Sequence, residues 1–93
     1  MRGVEEIRAD IDRCDEKLLS AFLERVQLVK EIARAKAKAG LQPFDIDRER
    51  VILQRALLLG PHAQTLMTQI LTLCRSEMCD EREKKEFPHD RTR

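Results

Sequence analysis

The sequence predicts an all-α fold of three helices, one long, one short and one medium, with two copies of the chain wound together as an intertwined homodimer. Three observations carry this. No β-branched or aromatic run alternates with period two, so strands have no signal. An apolar row repeats every seven residues through Val4, Ile7, Ile11, Cys14, Leu18 and Ala21, and resumes at Leu28, Ile32 and Ala35. Neither Gly nor Pro interrupts the chain between Val4 and Ala39.

The first helix is expected over about 4–39, with Gly40 as its stop. Its length is then on the order of 50 Å at 1.5 Å per residue. A compact globule of this chain length would be only about 25–30 Å across. The helix therefore outruns any monomeric fold and leaves its apolar row uncovered, and a second copy of the chain is the simplest cover. The connector LQPFD follows, held extended by Pro43, and Asp45 or Asp47 can cap a second helix over about 47–59. Gly60-Pro61 breaks the chain again. A third helix is expected over about 62–86, carrying Leu66, Met67, Ile70, Leu71, Leu73, Cys74 and Met78. Pro88 disfavours its continuation, and residues 88–93 are expected to fray. The whole span, 1–93, reads as one domain.

Composition narrows the function. The hydrophobic fraction is 42%, with three Phe and no Trp or Tyr, so the core is aliphatic. Charged residues make up 38% in nearly equal numbers of each sign, the balance of amphipathic helices with solvated outer faces. A net charge of +1 argues against nucleic-acid binding, which needs a basic excess on one face. No apolar run approaches membrane-spanning length, and MRGVEEIRAD lacks the apolar core of a signal peptide, so a cytoplasmic location is expected. Cys14, Cys74 and Cys79 lack the paired spacing of zinc or redox sites. Cys14 and Cys74 read as small buried hydrophobes in a reducing compartment.

Two cations interrupt the apolar face of the first helix. Arg25 takes a place in the seven-residue row, and Lys36 lies eleven residues later on nearly the same face, about 16 Å along the axis. Burying an unpaired cation costs several kcal/mol, so such a charge is paired, snorkels to water, or faces an anionic ligand. DIDRERVILQRALLLG then sets Arg48 and Glu49 in the first turn of the second helix, which a short connector folds back beside Lys36. Three cations and one carboxylate can converge there. The chain has no metal-ligand cluster, no nucleophile–base pair and no Gly-rich phosphate loop, and its two histidines fall at a helix start and in the tail. A site of fixed charges suits chemistry that needs only positioning and electrostatics, with no metal and no cofactor.

The residues Ile7-Arg8, Ile11-Asp12, Asp15, Leu18-Leu19, Arg25, Lys36, Asp45 and Arg48-Glu49 match, over about residues 4–60, the charged and apolar spacing of the small all-α chorismate mutase family. The resemblance implies an intertwined homodimer of three-helix chains with two active sites, each converting chorismate to prephenate by a Claisen rearrangement. Carried over by position, it implies that Arg25 and Arg48 bind the two carboxylates of this dianion, with help from Arg8 of the partner chain. Lys36 would contact a carboxylate and the ether oxygen, and Glu49, with the backbone at Asp45, would hold the C4 hydroxyl. Arg8 lies 17 residues from Arg25, about 25 Å along the helix, so the two can serve one ligand only from different protomers.

The resemblance fades after Gly60. The family's last helix normally adds a small hydroxyl residue and, one turn later, a glutamine or glutamate that donates to the ether oxygen. Three registers offer themselves here, Ser76 with Asp80, Glu77 with Glu81, and Met78 with Arg82, and none restores that pair. Alternative readings are mutase action on 4-amino-4-deoxychorismate, isochorismate pyruvate lyase action, and a non-catalytic helical dimerisation or regulatory module. The intact D-x-x-R-E disfavours the lyase. The Arg25, Lys36, Arg48 and Glu49 set disfavours a scaffold, which apolar residues there would stabilise better.

Overall fold

The computed structural model describes residues 1–86, with side chains through residue 81. The expected chain end at Phe87 to Arg93 and the side chain of Arg82 lie outside the described residues. The described chain is three helices and no strand: α1 (Val4–Ala39), α2 (Ile46–Leu58) and α3 (Pro61–Glu86).

Each boundary has a local cause. Glu6 reaches back to accept from the Gly3 amide at 2.9 Å and satisfies one of the orphan donors at the start of α1. At its other end Gly40 adopts φ +73°, the Gly40 amide donates to the Ala37 carbonyl at 3.2 Å, and the Leu41 amide donates to the Lys36 carbonyl at 2.8 Å. This left-handed closure turns the chain sharply back and fixes where the Lys36 side chain leaves the helix. Asp45 caps α2, its Oδ1 accepting from the Arg48 amide at 3.0 Å. Gly60, at φ +122°, carries the chain from α2 into α3, where Pro61 takes the first helical position.

Replacing Gly40 with alanine tests the first turn. A Cβ at Gly40 meets nothing within 4 Å, so its cost is purely conformational. We expect a loss of about 1 kcal/mol. A thermal midpoint several degrees lower at matched protomer concentration would show it. An unchanged midpoint would mean that this turn does not limit stability.

α3 packs against both other helices, whereas α1 and α2 make no close contact of their own among the described residues. Cross-links set the directions. Arg34 pairs with Glu81 at 2.8 Å and Lys30 with Glu77 at 3.6 Å, so the C-terminal half of α1 runs parallel to α3. Gln64 Nε2 donates to the Leu53 carbonyl at 3.3 Å near the α2–α3 turn, and the pair runs antiparallel. The buried apolar residues are Val26, Ala33, Ala56, Leu71 and Cys74. All five belong to this three-helix end.

The N-terminal half of α1 projects away from it. Val4, Ile7, Ile11, Leu18 and Leu19 are exposed in the single chain. Cys14, expected to be buried, is exposed as well, because nothing in the same chain covers the row it belongs to.

Candidate active site

Where α1 and α2 part, with α3 as the back wall, lies a cavity of about 270 Å³. That is close to the lower end of ordinary small-ligand pockets. α1 contributes Arg25, Leu28, Val29, Ile32 and Lys36, which are spaced at three, four, seven and eleven residues and form one helical stripe. α2 contributes Arg48, Glu49 and Ile52 from its first turns, and the connector brings Pro43, Phe44 and Asp45. The apolar members form the floor, and the charged side chains ring it.

The cations are placed by different means. Arg25 is half-buried, and its Nη1 donates to the Cys74 Sγ at 3.0 Å. Lys36 Nζ donates to the Pro43 carbonyl at 3.1 Å, tying the connector to the end of α1. Arg48 lines the cavity from the turn that Asp45 caps. Among the described residues none of these three cations forms an ion pair. Asp45 and Glu49 line the same cavity, but positive charge remains in excess, which an anionic ligand would relieve.

The structure thus brings together Arg25, Lys36, Asp45, Arg48 and Glu49. It does not bring Arg8 to them. Arg8 sits near the far end of α1, paired with Glu5 at 3.0 Å on the exposed surface.

For α3 the sequence leaves three registers open, and the structure separates them. Leu71, Cys74, Arg75 and Met78 face the cavity. Ser76 and Asp80 are exposed on other faces, and Glu77 and Glu81 are engaged by Lys30 and Arg34. Neither the Ser76/Asp80 nor the Glu77/Glu81 register therefore reaches the site. Of the third register, Met78 does. Two pairs stand four residues apart at the cavity, Leu71 with Arg75 and Cys74 with Met78, and neither is the hydroxyl with an amide or acid that the resemblance implies.

Three cavity residues were missed from the sequence: Cys74, read only as core, Arg75 and Phe44. Arg75 donates from Nε to Glu49 Oε2 at 3.0 Å and from Nη2 to Glu49 Oε1, and its guanidinium carbon lies 5.8 Å from the centroid of the Phe44 ring. The spacing of Leu71, Cys74, Arg75 and Met78 at three, four and seven residues is the signal that could have found the first two. Among the described residues no group of His, Cys, Asp and Glu side chains is placed to hold a metal ion. No described helix is long and apolar enough to cross a membrane.

The chain resembles known proteins over most of its length. The family model for chorismate mutase type II matches residues 7–83. The chain is 41% identical over 60 residues to a bifunctional chorismate mutase/prephenate dehydratase of Aquifex aeolicus, covering 64% of this chain and 17% of that protein. It is 40% identical over 50 residues to a chorismate mutase of Methanocaldococcus jannaschii, covering 54% of this chain and 50% of that one. An intracellular chorismate mutase of Mycobacterium tuberculosis is 28% identical over 75 residues, 81% of this chain and 71% of its own length. The chain thus spans only about a sixth of the bifunctional Aquifex protein. No solved structure matches it significantly.

Proposed function

Since the chain belongs to the chorismate mutase type II family, we propose that it is an isomerase acting as a homodimer, which converts chorismate to prephenate by a Claisen rearrangement. The observation that carries this reading is the convergence of Arg25, Lys36 and Arg48, none of them ion-paired, on one small cavity with an apolar floor. Two guanidinium forks suit the two carboxylates of the dianion. The reaction is internal to the substrate: the ether C–O bond breaks as a new C–C bond forms, and no proton, nucleophile or redox partner is needed.

Catalysis then reduces to two tasks. The cavity must hold the enolpyruvyl arm over the ring in the reactive geometry, which Arg25, Arg48 and the apolar floor formed by Leu28, Val29 and Ile52 are suited to do. It must also stabilise negative charge growing on the ether oxygen. A fixed ammonium at that oxygen contributes more at the barrier than in the ground state, and Lys36, already held by the Pro43 carbonyl, is the group for this. Glu49 accepts from the C4 hydroxyl, beside the backbone at Asp45.

The dimer is part of the proposal. Val4, Ile7, Ile11, Leu18 and Leu19 are exposed in the single chain, an apolar face that an obligate interface would cover. The uncovered row from Val4 to Leu18 is the surface to bury, and doing so would swing the partner's Arg8 toward the cavity. Three free cysteines fit a reducing cytoplasm.

Hybrid dimers test the shared site. Arg8→Ala chains and Arg25→Ala chains, each inactive alone, should regain activity with chorismate when mixed under exchange conditions, because each hybrid rebuilds one complete site. At full exchange half the dimers are hybrid with one working site each, so recovery near a quarter of the wild-type rate per chain is expected. No recovery in hybrids confirmed by mass spectrometry would rule out sites shared between chains. No turnover by the wild-type chain would remove the proposed reaction itself.

A further inference from the structure

The cavity holds a fourth cation that the rearrangement does not call on. The side chain of Arg75 is 52% exposed, yet its position is fixed: two bonds to the Glu49 carboxylate and the Phe44 ring beneath it leave the guanidinium plane little freedom. The pairing is strong enough to raise the Arg75 pKa, chiefly through the hydrogen bond to Glu49 and then through its charge.

Charge balance gives this residue its meaning. The cavity is lined by Arg25, Lys36, Arg48 and Arg75 against Asp45 and Glu49, a formal excess of two positive charges that matches a dianion. Without Arg75 the excess is one. The Asp45 carboxylate is tied to the Arg48 amide as the cap of α2. Glu49 accepts from Arg75 through both oxygens, so its charge is already met, while each oxygen keeps a lone pair for a ligand. A neutral hydroxyl can still donate to Glu49 beside that pair. An ammonium in the same place would be attracted by Glu49 and repelled almost equally by a guanidinium bonded to both its oxygens.

We propose that Arg75 is a specificity-determining residue, which sets the cavity to prefer a dianion bearing a neutral hydroxyl over the same ring compound bearing an ammonium at the Glu49 end. The inference rests on the proposed function for the identity of that ring compound. Its chemistry rests on the Arg75–Glu49–Phe44 arrangement alone.

The test compares the wild-type chain with Arg75→Met, which keeps a stem over Phe44 and removes the charge, and with Arg75→Lys, which keeps the charge. Chorismate and 4-amino-4-deoxychorismate are each followed for turnover by absorbance and for binding by calorimetric titration. For Arg75→Met we expect the affinity and kcat/KM for chorismate to fall about tenfold, through KM more than kcat, and those for the amino compound to hold or rise. The preference for chorismate should then shrink by one to two orders of magnitude. Arg75→Lys should keep most of it. If Arg75→Met does not fold, Arg75→Gln provides the neutral variant. An unchanged preference in a folded neutral variant overturns the inference, as does a wild-type chain that binds both compounds equally or neither. Binding of chorismate without turnover would instead overturn the proposed reaction, and the affinity ratio would still judge Arg75.

Discussion

Lys36→Ala will lower kcat for chorismate by about a thousandfold while the chain stays folded. Removing a single neutral donor from a site of developing negative charge typically costs 10²–10³ in rate, and a fixed ammonium belongs at the upper end of that range. The stability cost is smaller and of mixed sign. The variant loses the hydrogen bond from Lys36 Nζ to the Pro43 carbonyl, worth about 1 kcal/mol. It also relieves repulsion among the cavity's cations, so the two changes nearly cancel. Circular dichroism, the thermal midpoint at fixed protomer concentration and the sedimentation coefficient should all stay near wild type. KM should rise too if the same ammonium also binds a substrate carboxylate, but by far less than kcat falls. A variant that unfolds or dissociates would make Lys36 a structural cation. One that folds and retains a tenth of the wild-type rate would remove it from the ether oxygen.

The part of this site that lies on α1 and the start of α2 was legible because its causes are local. Arg25 and Lys36 break an apolar row at a spacing that returns to one face, and Gly40 brings the chain back within a few residues. Asp45 caps the turn that carries Arg48 and Glu49. Each of those facts can be read within about a dozen residues of sequence. The α3 wall could not be read this way. Its hydroxyls at Thr65, Thr68 and Thr72 bond to carbonyls four residues back in the same helix and point to no face. Its rotation is set instead by Arg34 with Glu81 and Lys30 with Glu77, pairs 47 residues apart in the chain. Those pairs turn Ser76 and Asp80 outward and Cys74, Arg75 and Met78 inward. Arg75 was missed for a related reason. It follows the core-facing Leu71 and Cys74 in sequence, and only the fold reveals that Glu49 and Phe44 hold it at the cavity.

Met78→Gln will raise kcat for chorismate about tenfold or more. Met78 lines the cavity one helical turn after Cys74, where the family's last helix usually presents a glutamine or glutamate to the ether oxygen, and a thioether can donate nothing there. With Met78 in place, Lys36 is the only donor the proposed mechanism gives that oxygen. Glutamine is also unbranched and close to methionine in length, so it can occupy the same half-buried position without overpacking. Its amide N–H adds a second donor aimed where charge develops. The gain should fall in kcat, with KM little changed, because an ether oxygen is a weak acceptor before its bond to carbon begins to break. The price is an amide whose donors stay partly unmet when the cavity is empty, so stability should drop by about 1 kcal/mol. A stability loss with no gain in kcat would show that the side chain at position 78 does not look onto the ether oxygen. A gain confined to KM would mean that the new amide binds a carboxylate instead. Cys74→Ser, which returns the small hydroxyl without adding a donor at position 78, separates the two contributions: alone it should change kcat by less than threefold, because Arg25 Nη1 can donate to a serine oxygen much as it does to the sulfur.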